Sequence, residues 1–229
     1  AAYVAGALAA AGVEPAGAAA ADGTGPDPDA GAYLVRWRFA PSYPLLWADS
    51  LARRPPNVVG VVRGSDPALA DRYVVVTAHF DHIGTGPAVD GDSIFNGADD
   101  NASGTAALLE VAEALAALPV PPPRSVLFLA VSGEELGLLG SAAYLAEPTV
   151  PVTAMVADIN LDMVSRGLPD AAFAVGYQLS TLGLLARAIP EQVPLGIAAE
   201  IEEYTGQDLI ERSDHFSFAR NHIPAIFFT

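Results

Sequence analysis

Cysteine is absent from the 229 residues, and so is lysine: all 11 basic residues are arginine. The first absence excludes thiol nucleophiles, cysteine-ligated zinc and disulfides. The second excludes a Schiff base, a phosphate-loop lysine and a Ser–Lys dyad. Positive charge is scarce altogether. Against 27 acidic residues the formal net charge is -16, so nucleic acid is not an expected partner, because phosphate binding needs a basic surface. Part of that negative charge is open to neutralisation, since clustered carboxylates bind cations; the rest reads as solvated surface. No apolar stretch reaches the roughly 18–20 residues that a membrane helix needs. The Ala-rich start has neither a basic n-region nor an initiator Met. It therefore does not read as an intact signal peptide but as the middle of a helix whose beginning is missing.

Apolar residues are plentiful, at 52% of the chain, which suits one α/β domain with a large core. Residues 1–12 read as a helix end stopped by Gly12, and residues 13–31 as loop. Tyr33 to Phe39 alternates like a half-exposed strand, with Arg36 and Arg38 on one face. Asn57 to Arg63 and Tyr73 to Ala78 are β-branched runs separated by a turn around Asp66-Pro67, which predicts a hairpin or neighbouring strands. Ser103 to Leu118 predicts a helix with Leu108, Leu109, Val111, Ala112 and Leu115 in one stripe and Ser103 as its cap. Ser125 to Val131 is apolar on both faces, as in a central parallel strand. Gly137 to Glu147 reads as helix, Ala154 to Leu161 as buried strand, Phe173 to Tyr177 as strand, Leu179 to Ile189 as helix and Ala225 to Phe228 as a last strand. Alternating β and α elements with apolar strands predict a mostly parallel sheet sandwiched by helices, with no internal repeat and no second domain.

Four acidic or His-bearing patches follow or close these apolar runs: His79-Phe80-Asp81, Asp99-Asp100-Asn101, Glu134-Glu135 and Asp162. In α/β sheets ligands gather at the carboxyl ends of strands, which is where every patch falls. His79 and Asp81 are two apart, so period-two geometry points them the same way, as a metal ligand and its orienting partner. The bland alternative for His79-x-Asp81 is a polar strand end, and for Asp99 to Asn101 ordinary helix capping. Two adjacent carboxylates, Glu134 and Glu135, repel unless a cation or proton intervenes; otherwise they are a solvated loop pair. Together the patches have the oxygen-plus-imidazole character that zinc, manganese or cobalt accept, and a bridging carboxylate can hold two ions roughly 3.5–4 Å apart.

The strings AHFDHIG (78–84), NGADDNASG (96–104), SGEELGLLGS (132–141), NLDM (160–163) and SDHFSF (213–218) resemble metallopeptidase family twenty-eight, the co-catalytic zinc aminopeptidases and their relatives, from about Val58 to Thr229. The resemblance implies a three-layer α/β/α fold with a mixed, mostly parallel sheet, two zinc ions, and a peptide or aminoacyl substrate. By motif position it implies that His79 and Asp162 bind one zinc, that Asp100 bridges both and that Glu135 binds the second. Glu134 would be the general base and Asp81 would orient His79. The Asp100–Asn101 peptide is often cis in the family. The family's last ligand is a His in a YHTPxD-like segment beyond the strand matching AIFFT. That segment lies past Thr229, so the chain is expected to be incomplete at both ends and one zinc site weakened. Asp214 and His215, with Ser213, are expected to support the ligands or line the pocket, His215 being the substitute ligand in the other reading. His82 and His222 read as structural or surface groups. The expected activity is that of an aminopeptidase; carboxypeptidase-type, glutaminyl-cyclase-like and non-catalytic binding roles are the alternatives. The family's habit implies a secreted or periplasmic protein.

Overall fold

In the computed structural model the chain is described over residues 1–17, 33–37, 55–166, 170–198 and 209–229. The helices are α1 (Ala2–Ala10), α2 (Gly104–Ala116), α3 (Leu139–Ala146), α4 (Leu182–Ala188) and α5 (His215–Arg220). The strands are β1 (Glu14–Pro15), β2 (Leu34–Arg36), β3 (Pro56–Val62), β4 (Tyr73–His79), β5 (Thr85–Val89), β6 (Asp92–Ile94), β7 (Ser125–Val131), β8 (Met155–Leu161), β9 (Ala171–Val175), β10 (Gly196–Ala198) and β11 (Ala225–Phe228). No helix among the described residues is long and apolar enough to cross a membrane.

The main sheet runs β1-β3-β7-β4-β8-β11-β9-β10, with β2 also on the outer edge of β3. Its centre, β7-β4-β8-β11, is parallel; β3 and β9 flank it antiparallel. Period-two alternation divides the side chains between two helical layers. Val58, Val62, Val76, Phe128 and Ala130 meet Leu8 of α1 with Leu108 and Ala112 of α2. Val59, Val61, Val75, Leu127, Leu129 and Val131 meet Tyr144 of α3 and Phe218 of α5. Each such aliphatic or aromatic side chain removed from water contributes about 1.5–3 kcal/mol, so the two layers clamp the central strands from both sides.

The strands expected as neighbours are not. β7 lies between β3 and β4, antiparallel to one and parallel to the other. All seven of its residues are buried, so β7 needs a strand on each edge as well as a helix on each face. The link between β3 and β4, folded by the turn at Asp66, spans the extra strand width. Ser103 does not cap α2: its hydroxyl donates to Asp99 O, and Asn101 Oδ1 accepts from Gly104 N at 2.9 Å instead. Val111 is exposed, outside the buried stripe. Residues 14–15 form β1 where loop was expected, and β9 begins two residues earlier than predicted. Arg38 and Phe39 of the predicted half-exposed strand lie outside the described residues. The β5–β6 hairpin, β10 and α5 had no sequence expectation.

Candidate metal centre

The strands β4, β7 and β8 are parallel and in register, Ala78 opposite Ala130 and Thr77 opposite Asn160, so their carboxyl ends reach one edge of the sheet. His79 is the last residue of β4 and is buried. Its Nε2 lies 3.2 Å from Asp100 Oδ1, 3.3 Å from Asp162 Oδ1 and 4.0 Å from Glu134 Oε2. Its Nδ1 faces the backbone carbonyl of Asp81 at 3.1 Å, whereas the Asp81 carboxylate is 3.8 Å away. The orienting contact expected of the Asp81 side chain is thus made by its main chain. Only one carboxylate oxygen is engaged: Oδ2 accepts a hydrogen bond from Gly133 N at 2.7 Å, while Oδ1, the oxygen facing His79, has no hydrogen-bond partner.

Asp100 sits in a wide helical turn, Ala98–Ser103, immediately before α2, and the Asp100–Asn101 peptide is cis. Asn101 fastens this turn to the end of β8. Its Nδ2 donates to Leu161 O at 2.9 Å, and its Oδ1 accepts from Gly104 N and Met163 N. Thr105 adds a hydrogen bond from its hydroxyl to His79 O at 2.8 Å. The loop carrying Glu134 and Glu135 is cinched to β3 by the buried Asn57, which accepts from Ser132 N and donates to Gly140 O. Gly140 permits the approach, since a Cβ there would sit 2.1 Å from Ser132 O. Asp162 Oδ2 accepts from Ser213 Oγ at 2.7 Å, and Ser213 accepts from Asn160 Nδ2 at the same distance.

The electrostatics are those of crowded anions around one imidazole. Burial alone would lower the His79 pKa, but the Asp162 hydrogen bond and the charges of Asp162, Glu134 and Asp214 carry it up to about 10. Burial pushes Glu134 up to about 8, helped by Asp214, Asp162 and Glu135 and opposed by His79. Burial and the Asp100 charge raise Glu135 as well. These are the perturbations that a bound cation would relieve. The donor atoms fall into two groups, His79 with Glu134 and Asp162, and His82 with Asp100 and Glu135, each within 4.8 Å. Asp81 Oδ1, His82 Nδ1 and Glu135 Oε1 are buried without a hydrogen-bond partner. Imidazole and carboxylate donors so arranged fit a borderline divalent cation such as zinc.

Residues 57–229 match the sequence profile of Peptidase family M28. The chain belongs to that family. Aminopeptidase YwaD of Bacillus subtilis is 37% identical over 119 residues, which are 51% of this chain and 23% of that protein. A probable zinc metalloprotease of Leptosphaeria maculans is 47% identical over 195 residues, 75% of this chain and 44% of that protein. The chain therefore spans less than half the length of either relative. Among solved structures, an aminopeptidase from Aneurinibacillus sp. strain AM-1 superposes with a TM-score of 0.55 at 25% identity, over 76% of this chain and 38% of that one.

Within this M28 chain, His79, Asp100, Glu134, Glu135 and Asp162 gather at one centre, with Asp81 beside it. Asp214 is fully buried and accepts from Ser141 Oγ; burial raises it to about 7, against the pull of Ser141 and His79. His215 packs its ring 5.1 Å from that of Phe227, and burial lowers it to about 4, leaving it neutral. Neither Asp214 nor His215 joins the two donor groups. His222 is on the surface, as expected. His82 is not: it stands 2.6 Å from Glu135 Oε1, inside the centre. No sequence signal marks it, since a histidine in the loop beyond β4 carries no periodicity.

Proposed function

We propose that this chain carries the chemistry of a zinc-dependent exopeptidase, an aminopeptidase that uses two zinc ions. One observation carries the reading: a single imidazole nitrogen, His79 Nε2, stands within 3.3 Å of both Asp100 and Asp162, with Glu134 next to them and Glu135 on the adjoining loop position. The names of the relatives, an aminopeptidase and a zinc metalloprotease, support it. His79 and Asp162 would hold one ion, Glu135 the other, and Asp100 would be shared. Bound zinc supplies Lewis acidity toward a water and toward a peptide carbonyl.

The remaining work falls to the chain's own groups. Glu134 is buried to about the degree of Asp162, and its Oε2 stands 4.0 Å from His79 Nε2, which puts a carboxylate beside the metal position where it can take a proton and later return it. It would accept the proton of the attacking water on a carboxylate oxygen and deliver it to the departing amine nitrogen. A cleft of about 530 Å³ opens at the centre, and its lining includes Leu138, Met163, Leu209 and Phe227 as well as the carboxylates. Those four would receive the N-terminal side chain of a peptide, which favours apolar residues there.

The test is hydrolysis of a panel of aminoacyl-anilides with their N-acetylated counterparts, before and after chelation. The expected result is cleavage of free-amine substrates alone, lost with chelator and restored by zinc. Zinc binding without cleavage of either set would overturn the aminopeptidase reading, and cleavage from the carboxyl end of peptides would replace it with a carboxypeptidase.

A further inference from the structure

We propose that Asp158, a buried side chain outside the metal centre, carries a proton and heads a one-way chain of hydrogen bonds that ends on Asp162. It is a positioning residue: through Thr77, Asn160 and Ser213 it fixes which oxygen of Asp162 is left for the ion. The inference rests on the reading above that Asp162 is a zinc ligand.

The chain follows from counting hydrogens. Asp158 and Asn160 lie two apart on β8, with Asp162 just past its end, so period-two geometry sets all three toward one face. Thr77 of β4 is the register partner of Asn160. Its Oγ1 lies 3.0 Å from Asp158 Oδ1 and 2.9 Å from Asn160 Oδ1. Asn160 Nδ2 lies 2.7 Å from Ser213 Oγ, which lies 2.7 Å from Asp162 Oδ2. All five side chains are buried, so their polar atoms must find partners within the protein.

A ligand carboxylate only accepts, so the single hydroxyl hydrogen of Ser213 points to Asp162. Asn160 must then present its amide nitrogen to Ser213, because two oxygens at that distance with no hydrogen between them repel. Its amide oxygen is thereby turned to Thr77, whose one hydrogen goes to it. The Thr77 oxygen is left with lone pairs alone, and Asp158 Oδ1 bonds it fully only by carrying a hydrogen. An ionised Asp158 would have to share the Thr77 hydrogen with Asn160. Its Oδ2, buried without any partner, would also hold charge with nothing to offset it. The electrostatics agree: burial raises the Asp158 pKa well above the ordinary carboxylate value, opposed by the Thr77 hydrogen bond and assisted by the charge of Asp214.

The far end of the chain gives it a purpose. Asp162 Oδ2 is filled by the Ser213 hydrogen, and Oδ1, 3.3 Å from His79 Nε2, remains for the ion. A chain with every direction set holds that choice, whereas a Thr77 hydroxyl free to turn away from Asn160 would release it.

The experiment has two arms. The first records the Asp158 Cγ resonance of the uniformly labelled protein by ¹³C NMR around neutral pH, assigned through its backbone so that no variant is needed. The second measures zinc affinity by chelator competition on the wild type, Asp158→Asn and Asp158→Leu. The expected results are a Cγ shift of a protonated carboxyl group and unchanged zinc affinity in Asp158→Asn, whose amide nitrogen donates to Thr77 as the acid does. Asp158→Leu, which cannot donate, should weaken zinc binding about 10-fold. A Cγ shift of an ionised carboxylate would overturn the inference. So would Asp158→Leu with wild-type affinity, or equal weakening by Asn and Leu, which would make charge rather than a donor the requirement. A wild type that takes up no zinc would overturn the ligand reading and the positioning role with it, a failure told apart from the others because the Cγ arm needs no metal.

Discussion

Glu134 and Glu135 are neighbours in sequence with different surroundings. Glu134 faces His79 and the buried anions, and Glu135 faces His82. Replacing Glu134 by Gln keeps the shape and removes the proton acceptor. Turnover of an aminoacyl-anilide should fall by about 10²–10⁴-fold, as for loss of a general base, with zinc content unchanged. Steady-state kinetics beside metal analysis checks both halves. Ser213 acts one bond further out: its hydroxyl donates to Asp162 and receives from Asn160. Ser213→Ala should weaken zinc binding about 10–100-fold, the usual cost of losing an outer partner of a ligand, as read by chelator competition. At this scale the sequence was informative about residues that end apolar strands and uninformative about His82. A histidine in a loop carries no periodicity, and only the return of the chain toward Glu135 gives it a role.

The elements that carry the ligands meet through glycines with no room for a methyl group. Gly104, the first residue of α2, is the clearest case, because a Cβ there would sit 2.2 Å from Leu161 O and 2.3 Å from Asn101 Oδ1. Gly104→Ala should cost about 1–3 kcal/mol of stability, the range for overpacking, and should lower zinc affinity by moving Asn101 and the Asp100 turn. Denaturant unfolding and metal titration on one preparation measure both. The helices and central strands were legible because their apolar period is long. The capping of α2 was not, since Ser103 fits the cap pattern and only the wide turn before it diverts the hydroxyl to Asp99. The β5–β6 hairpin did leave a signal. Asp90-Gly91, with φ of 53° and 87°, is the Asp-Gly pair that favours a tight hairpin turn.

For the molecule as a whole, the order of strands was the least legible feature. Two β-branched runs joined by a turn predict neighbours, but the requirement that β7 be covered on both faces and paired on both edges outweighs proximity in sequence. The formal charge of -16 predicts a chain under self-repulsion that grows as further groups lose protons. Tyr144 sets one limit. It is fully buried between α3 and the sheet, and burial raises its phenol to about 12, against the hydrogen bond with Thr149. The folded state thus holds this proton more tightly than the unfolded chain, whose tyrosines titrate near 10. Its contribution is complete below the unfolded value and lost as pH rises toward the folded one, roughly 2–3 kcal/mol across that window. Urea unfolding as a function of pH should show this decline, and Tyr144→Phe should flatten it.

The fastening of Asn101 to the end of β8 has a mechanical consequence. One amide, bonded to Leu161 O, Met163 N and Gly104 N, spans the turn that presents Asp100 and the strand end that presents Asp162. The jaws of the centre are therefore gauged like a caliper by one small side chain, with Ser103 and Asp99 of the same turn adding bonds to Val164 and Ser165 just beyond Asp162. Breathing of the helical layers would carry both carboxylates together and leave the gap between them unchanged.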